Sequence, residues 1–281
     1  MKCPLCQSSK NSQHFISTNT HGRHRLSQEK FTILKCHSCA CIFPKIQTNK
    51  KYINKYYSSS YYPSSASRLS KLISSQSVKT KIKKLLKLYH SKRNIKILDI
   101  GCGDGEFLSF LPDKYFKKYG LDTNPDSIKI CRSKNLKVKK ANITSPIRIK
   151  ENFDIVTLNH VFEHLSSPNL GIKNIHHLLK PKAYLVLSVP LTDSIGYRLG
   201  RQNWFHLDTP RHLFIPNRHN ITFFLESNHF VIKEIYHQSF EFPLDLFWSL
   251  RHNFIFWPLF ILYPIIKLFD WETATFICQK K

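Results

Sequence analysis

The chain has 281 residues, with 43 Lys and Arg against 18 Asp and Glu, a formal charge of +25, and 42% hydrophobic residues. That length accommodates one α/β domain with a full core plus a small attachment, and leaves no room for several catalytic domains. The cationic excess is spread as single lysines among Asn, Ile and Ser, so it admits nucleic acid or an anionic membrane as partner without pointing to either.

The opening residues, MKCPLCQSSK, hold no apolar run of the signal-peptide kind, which predicts a cytoplasmic protein. In a reducing compartment the eight cysteines are expected as metal ligands or small buried residues, not as disulfides. Cys3-Pro-Leu-Cys6 and Cys36-His-Ser-Cys39 are two C-x2-C knuckles separated by 29 residues. A two-residue gap lets both sulfurs of a knuckle face one ion. Cys3, Cys6, Cys36 and Cys39 are therefore predicted to hold one tetrahedral zinc, with unligated thiols or a redox pair as the alternative. Four cysteine ligands leave no position for water, so this zinc is expected to be structural. Cys41 and His37 are read as packing residues.

Residues 1–45 are thus a zinc-binding module, and 46–92 a connector with a helix. The connector is rich in Tyr and Ser over 50–65. From Ala66 to His90 the residues Leu69, Leu72, Ile73, Ile82, Leu85, Leu86 and Leu88 recur at three and four, with Ser65 as a cap, which predicts a basic amphipathic helix.

From Asn94 onward, apolar runs alternate with helical patterns, as a parallel sheet with crossover helices requires. Strands are expected over 95–100, 117–122, 136–141, 153–158 and 183–189, and helices near 105–111, 125–134 and 168–180. After an irregular stretch from Pro190 to Pro216 come a helix over 217–228, a strand over 230–237 and a last strand over 273–279. Residues 93–281 form one domain on this reading, with an apolar insertion at about 240–270.

Ile97-Leu-Asp-Ile-Gly-Cys-Gly-Asp-Gly-Glu-Phe-Leu108 is a strand running into a glycine-rich turn and a helix. Gly101, Gly103 and Gly105 let the backbone turn sharply and approach a ligand closely. A dinucleotide site usually reads G-x-G-x-x-G, whereas this turn is D-x-G-x-G-x-G with Asp99 in the strand end. It resembles motif I of the class I S-adenosylmethionine-dependent methyltransferases, and the likeness extends over roughly residues 95–240.

The resemblance implies an α/β fold with a Rossmann-like seven-stranded sheet, here joined to a small zinc-ribbon-like module, and S-adenosyl-L-methionine as cofactor. It implies that the turn with Gly101, Gly103 and Gly105 holds the methionine part, and that Asp99, Asn159 and His160 belong to the same cofactor site. Asp122, at the end of the second strand, is the expected partner of the ribose hydroxyls. Asn142 stands where many relatives carry an Asp that binds the adenine amino group. Phe153 to Leu165 resembles the family's fourth-strand motif, which puts Asn159, His160, Glu163 and His164 at the carboxyl end of the sheet. Leu178-Leu-Lys-Pro-Lys-Ala-Tyr-Leu lacks the two glycines of the family's turn before the fifth strand. A cysteine module, then Tyr56, Tyr57, Tyr61 and Tyr62, then such a domain resembles a bacterial group that modifies sugars and other small metabolites.

Gly200 to Phe214 combines aromatics with Pro210 and His212, and resembles a segment of relatives that methylate small molecules. A hydroxyl is a poor nucleophile at neutral pH, so His212 is the first candidate for a base, with Glu163 and His164 the second, as base or metal ligand. Pinning the loop by hydrogen bonds is the alternative role for His212. Phe254 to Phe269 follows the cluster Phe242 to Trp248 and is short for a membrane span, with Pro258, Pro264 and Lys267 in it. A buried cap, a dimer surface or contact with a membrane interface through 242–269 remain. Nearby Arg251, His252, Lys280 and Lys281 would suit an anionic inner membrane face.

The function expected is methyl transfer to a hydroxyl of a sugar, saccharide precursor or related metabolite. The alternatives are an RNA methyltransferase and a catalytically inactive, membrane-associated zinc scaffold.

Overall fold

The computed structural model describes residues 1–18, 29–46, 56, 68–90, 93–147, 149–237, 245–250 and 272–281, with 255, 257, 258, 261, 262 and 265. For 68–77 it describes the backbone alone. The connector residues Tyr57, Tyr61 and Tyr62, the cap Ser65, and Phe242, Arg251, His252, Phe254, Pro264, Lys267 and Phe269 lie outside the described residues, as do the side chains of Leu69, Leu72 and Ile73.

Three strands precede the first helix: β1 (Asn11–Thr18), β2 (Lys30–Cys36) and β3 (Ile42–Pro44). They form an antiparallel sheet in the order β1-β2-β3, with a register irregularity between Gln13 and Phe15. Helix α1 (Arg68–Leu88) leads to β4 (Ile95–Ile100), α2 (Glu106–Phe110), β5 (Phe116–Asp122), α3 (Pro125–Ser133) and β6 (Lys137–Lys140). Then come β7 (Phe153–Asn159), α4 (Pro168–Leu178), β8 (Leu179–Pro190), α5 (Ile195–Gly200), α6 (Arg218–Ser227), β9 (Phe230–His237), α7 (Asp245–Leu250) and β10 (Thr273–Lys280).

Seven strands make one sheet in the order β6-β5-β4-β7-β8-β10-β9. Inside it lies β4, third in that order, whose Ile95, Ile97, Leu98 and Ile100 are all buried, the continuous apolar pattern of a strand covered on both faces. Parallel β4 pairs with β5 on one side and β7 on the other, so the strand order reverses there. In an open α/β sheet that reversal opens a crevice at the carboxyl ends, and the glycine-rich turn leaves β4 into it. Beneath, Ile97, Ile155, Val186 and Ile277 from four strands pack with Leu85 of α1, Leu108 of α2 and Cys131 of α3.

The strand and helix boundaries expected from sequence hold to within a few residues. The helix expected to reach 180 stops at Leu178, because Leu179 pairs with Phe153 and extends β8 backward. The stretch read as irregular holds α5, capped by Ser194, whose hydroxyl accepts from Tyr197 N at 3.1 Å, and two single 3-10 turns.

The chain's contacts gather into two compact units. One comprises Met1–Ile73, Val189–Phe224 and His237–Ala274; the other comprises Ser74–Ser188, Leu225–Tyr236 and Thr275–Lys281. In the first, Phe31, Ile33 and Ile42 of the antiparallel sheet share a core with Tyr56, Tyr197, Trp204, Leu207 and Ile215. The second carries the glycine-rich turn.

Candidate functional site

Gly101, Gly103 and Gly105 have φ of +69°, +52° and +77°, a conformation that side chains rarely adopt. A methyl on Gly101 would collide with Val161, and one on Gly105 with Leu136, so those glycines are demanded by packing. Gly103 differs: nothing lies within 4 Å of the position its Cβ would take. Its backbone faces open space, where a ligand can approach.

Asp122 sits at the tip of β5, and its carboxylate accepts from Gly103 N and from Asn124 N, each at 2.8 Å. Each oxygen keeps a further lone pair, which suits a vicinal pair of hydroxyls. Asn124 also caps α3, accepting from Asp126 N at 2.8 Å, with Pro125 in the first turn. The turn and the acidic tip are thus one hydrogen-bonded structure. Cys131 of α3 adds a donor from below, Sγ to Gly103 O at 3.2 Å.

Asp99 is 3% exposed and lies under the turn. Burial pushes its carboxyl up to about 7, against the opposing pull of Thr157, Lys81 and Asn159. Thr157 Oγ1 donates to Oδ1 at 2.6 Å and Asn159 Nδ2 at 3.2 Å. Asn159 in turn accepts from the Lys81 ammonium, which also donates to Ser188 Oγ at 3.1 Å. Lys81, 4% exposed, was not marked by the sequence, where one Lys in a basic helix reads as solvated. Its only signal is its place four residues before the buried Leu85.

His160, directly after β7, has φ +52°, a costly conformation for a residue with a side chain. Its N–H donates to Ser188 O at 3.1 Å and its Nδ1 lies 3.4 Å from Oε1 of the fully buried Glu163. Glu163 and His164 form a 3-10 turn, Phe162–His164. Asn142 Oδ1 accepts from both N and Oγ1 of Thr144 at 2.9 Å, so an adenine amino group would compete with Thr144 for it.

In the other unit, Cys3 Sγ lies 3.7 Å from Cys39 Sγ and Cys6 Sγ 3.5 Å from Cys36 Sγ, and all four sulfurs fall within 4.8 Å of one another. A tetrahedron with Zn–S bonds of ~2.3 Å has edges of about 3.8 Å. The donor set and its spacing fit zinc. Hydrogen bonds from Cys39 and Cys41 hold the Cys3 thiol below the ordinary range, while the bond to Cys3 pushes Cys39 up and burial pushes Cys6 up, so the case for zinc rests on the spacing of the sulfurs. Cys41, fully buried, donates to Ile215 O at 3.4 Å, a packing role.

Residues 204–215 are packed into this unit's core. Trp204 and Arg211 are fully buried, and Arg211 forks onto the Asp208 carboxylate while donating to Tyr56 O at 3.0 Å. His212 Nδ1 lies 2.7 Å from His206 O, which fixes the ring and leaves the basic lone pair on Nε2, 3.8 Å from Asp208 Oδ2. Asp208 and Arg211 lie in the stretch that the sequence marked, without a role of their own there, and the buried Glu272 was not singled out.

A run of parallel strands with a glycine turn and an acidic strand tip at the point where their order reverses defines the class of nucleotide-cofactor α/β domains. Residues 73–234, more than half of the chain, match the family described as "Methyltransferase domain". The chain belongs to this family, and carries a class I S-adenosylmethionine-dependent methyltransferase domain. It is 30% identical over 100 residues to a ubiquinone biosynthesis O-methyltransferase of Pseudomonas aeruginosa, covering 33% of this chain and 43% of that protein. It is 33% identical over 96 residues to a tRNA (carboxymethyluridine(34)-5-O)-methyltransferase of Arabidopsis thaliana, covering 33% of this chain and 23% of that protein. The chain thus spans less than half the length of these relatives. A solved S-adenosylmethionine-dependent methyltransferase from Methanosarcina mazei shares the fold, with TM-score 0.50, 18% identity, and coverage of 69% of this chain and 96% of that one.

Proposed function

We propose that the protein transfers a methyl group from S-adenosylmethionine to a hydroxyl of a sugar, a saccharide precursor or a related small metabolite. The observation that carries the cofactor half is the convergence of Gly103 and Asp122: open space above the one, and a carboxylate pinned by backbone amides beside it. On this reading Asp122 binds the ribose hydroxyls, and Gly101, Gly103 and Gly105 shape the bed of the methionine part. Asn159 and His160 border it, Asp99 supports the turn from beneath, and Asn142 reaches the adenine only by exchanging its bond to Thr144. When bound, the cofactor supplies an electrophilic sulfonium methyl. The acceptor oxygen must attack it in line and lose a proton.

His212 is the proposed acceptor of that proton, through Nε2, while Nδ1 stays on the His206 carbonyl. Glu163 and His164 are the second choice; Glu163, fully buried beside His160, fits a role in orienting that ring. The four cysteines hold a structural zinc. The architecture of cysteine module and methyltransferase domain favours the bacterial sugar-modifying group, and a site at the inner membrane face accords with the apolar insertion. An RNA acceptor is the second reading, favoured by the +25 charge and by the tRNA-modifying relative; tRNA binding that weakens steeply with salt would support it.

Calorimetric titration with S-adenosylhomocysteine is the first test. Micromolar binding abolished by Asp122→Ala is expected, and no binding to folded, zinc-loaded protein would overturn the reading. His212→Asn keeps a donor near the Nδ1 position and removes Nε2, whereas Gln places its amide near Nε2. Loss of turnover in His212→Asn with an unchanged melting temperature is expected for a base; retained turnover would assign His212 to pinning the loop.

A further inference from the structure

We propose that the exposed apolar residues Ile255, Trp257, Ile261, Leu262 and Ile265, between α7 and β10, dock the protein on an anionic phospholipid bilayer. This deepens the membrane-face reading above and is independent of the methyl acceptor. Ile255 and Ile261 are 82% and 83% exposed, and Trp257, Leu262 and Ile265 are 51%, 49% and 58% exposed. Five large apolar side chains are thus exposed within residues 255–265, and exposed apolar surface of this kind marks an interaction site.

The stems show how the segment is presented. Before it, Asp245 of α7 lies 3.3 Å from His206 Nε2, and Ser249 Oγ accepts from Phe205 N at 2.9 Å. After it, the Glu272 carboxylate accepts from Trp204 Nε1 and, at 3.2 Å, from Ser194 Oγ. Residues 204–206 therefore hold both stems, so the chain leaves and returns at one place. A single crossing is incompatible with that, and no helix among the described residues is long and apolar enough to cross a membrane.

The chemistry of the patch selects the occupant. Trp257 has an apolar body and a polar N–H, the combination that prefers the level of lipid headgroups. The net charge of +25 draws the protein to an anionic surface and repels a second copy of the same chain. Arg251 and Lys267 flank the exposed residues in sequence.

The test is co-sedimentation of the full chain with phosphatidylcholine vesicles containing about 30% phosphatidylglycerol, with tryptophan emission recorded. Most of the protein is expected to pellet and its emission to shift to the blue, with at least tenfold weaker binding to pure phosphatidylcholine. The triple variant Ile255→Ser, Trp257→Ser, Ile261→Ser is expected to lose pelleting and the blue shift at unchanged melting temperature and S-adenosylhomocysteine affinity. Wild-type protein left in the supernatant would overturn the proposal. So would a triple variant that binds as well as the wild type, or a dimer that the triple variant dissolves.

Discussion

Asp99 shows how a single group ties cofactor geometry to pH. Its carboxyl is held up to about 7, chiefly by burial, while Thr157, Lys81 and Asn159 pull the other way and Asp122 adds a smaller upward push. Because the folded value is raised, the native state keeps a proton that the unfolded chain releases. The stability this contributes is complete below the ordinary carboxylate range and is lost as pH rises through about 7. Asp99→Asn retains an acceptor for Thr157 and removes the titration. The melting temperature of the wild type is therefore expected to fall more steeply than that of Asp99→Asn between about pH 5 and 8, by the equivalent of roughly 1–4 kcal/mol. Parallel curves in a thermal scan at each pH would show that Asp99 does not titrate in this range. Asp99, Asp122 and the three glycines were legible in the sequence because a backbone turn against a ligand tolerates few residue types at fixed spacing. Lys81 was not, since what distinguishes it is burial against Asn159 and Ser188, residues far along the chain.

At the scale of elements, the cysteine knuckles fasten more than their own sheet. Ile42 and Ile215 exchange backbone hydrogen bonds at 3.2 and 2.8 Å, Cys41 donates to Ile215 O, and Asn220 Nδ2 donates to Cys39 O at 2.8 Å. A zinc ion held by the four thiols would fix β2, β3 and the knuckle residues, and through these bonds the segment from Ile215 to Asn220. Binding energy of a metal that the unfolded chain cannot assemble is folding energy. Removing zinc by chelation, or by Cys39→Ser, is expected to open residues 189–224 to limited proteolysis while the glycine turn still binds S-adenosylhomocysteine. An unchanged cleavage pattern after metal removal, verified by metal analysis, would show that the thiols hold no structural ion. The parallel strands were legible as continuous apolar runs, and Ile95–Ile100 falls where it was expected. The backward extension of β8 was not, because Leu178-Leu-Lys-Pro-Lys-Ala has no strand pattern and is held by pairing with Phe153. The same limit hid the role of residues 204–214. The sequence marks them only as the segment where an acceptor could sit, and burial of Trp204 and Arg211 arises from partners near residue 31 and at Tyr56.

At the scale of the whole chain, the sequence suggests three consecutive pieces, whereas contacts alternate: the backbone passes between the two compact units five times. The unit that holds the cysteines takes its core from Phe31, Ile33 and Ile42 on one side and Tyr197, Trp204, Leu207 and Ile215 on the other. Deleting residues 1–45 would remove the first set and strand the second in water. Losing several fully buried apolar partners costs roughly 2–5 kcal/mol apiece, more than a domain's margin of about 5–15 kcal/mol can absorb. A chain starting at residue 46 is therefore expected to aggregate or to expose Trp204, although its glycine turn, Asp122 and Asp99 are intact in sequence. The check is to purify that fragment and follow tryptophan emission, oligomeric state and S-adenosylhomocysteine binding together. A monomer that melts cooperatively and binds as tightly as the full chain would mean that the cysteine module is an appendage. An unfolded or aggregated fragment, rescued only by co-expression of residues 1–45, would mean that module and post-β8 segment fold as one body.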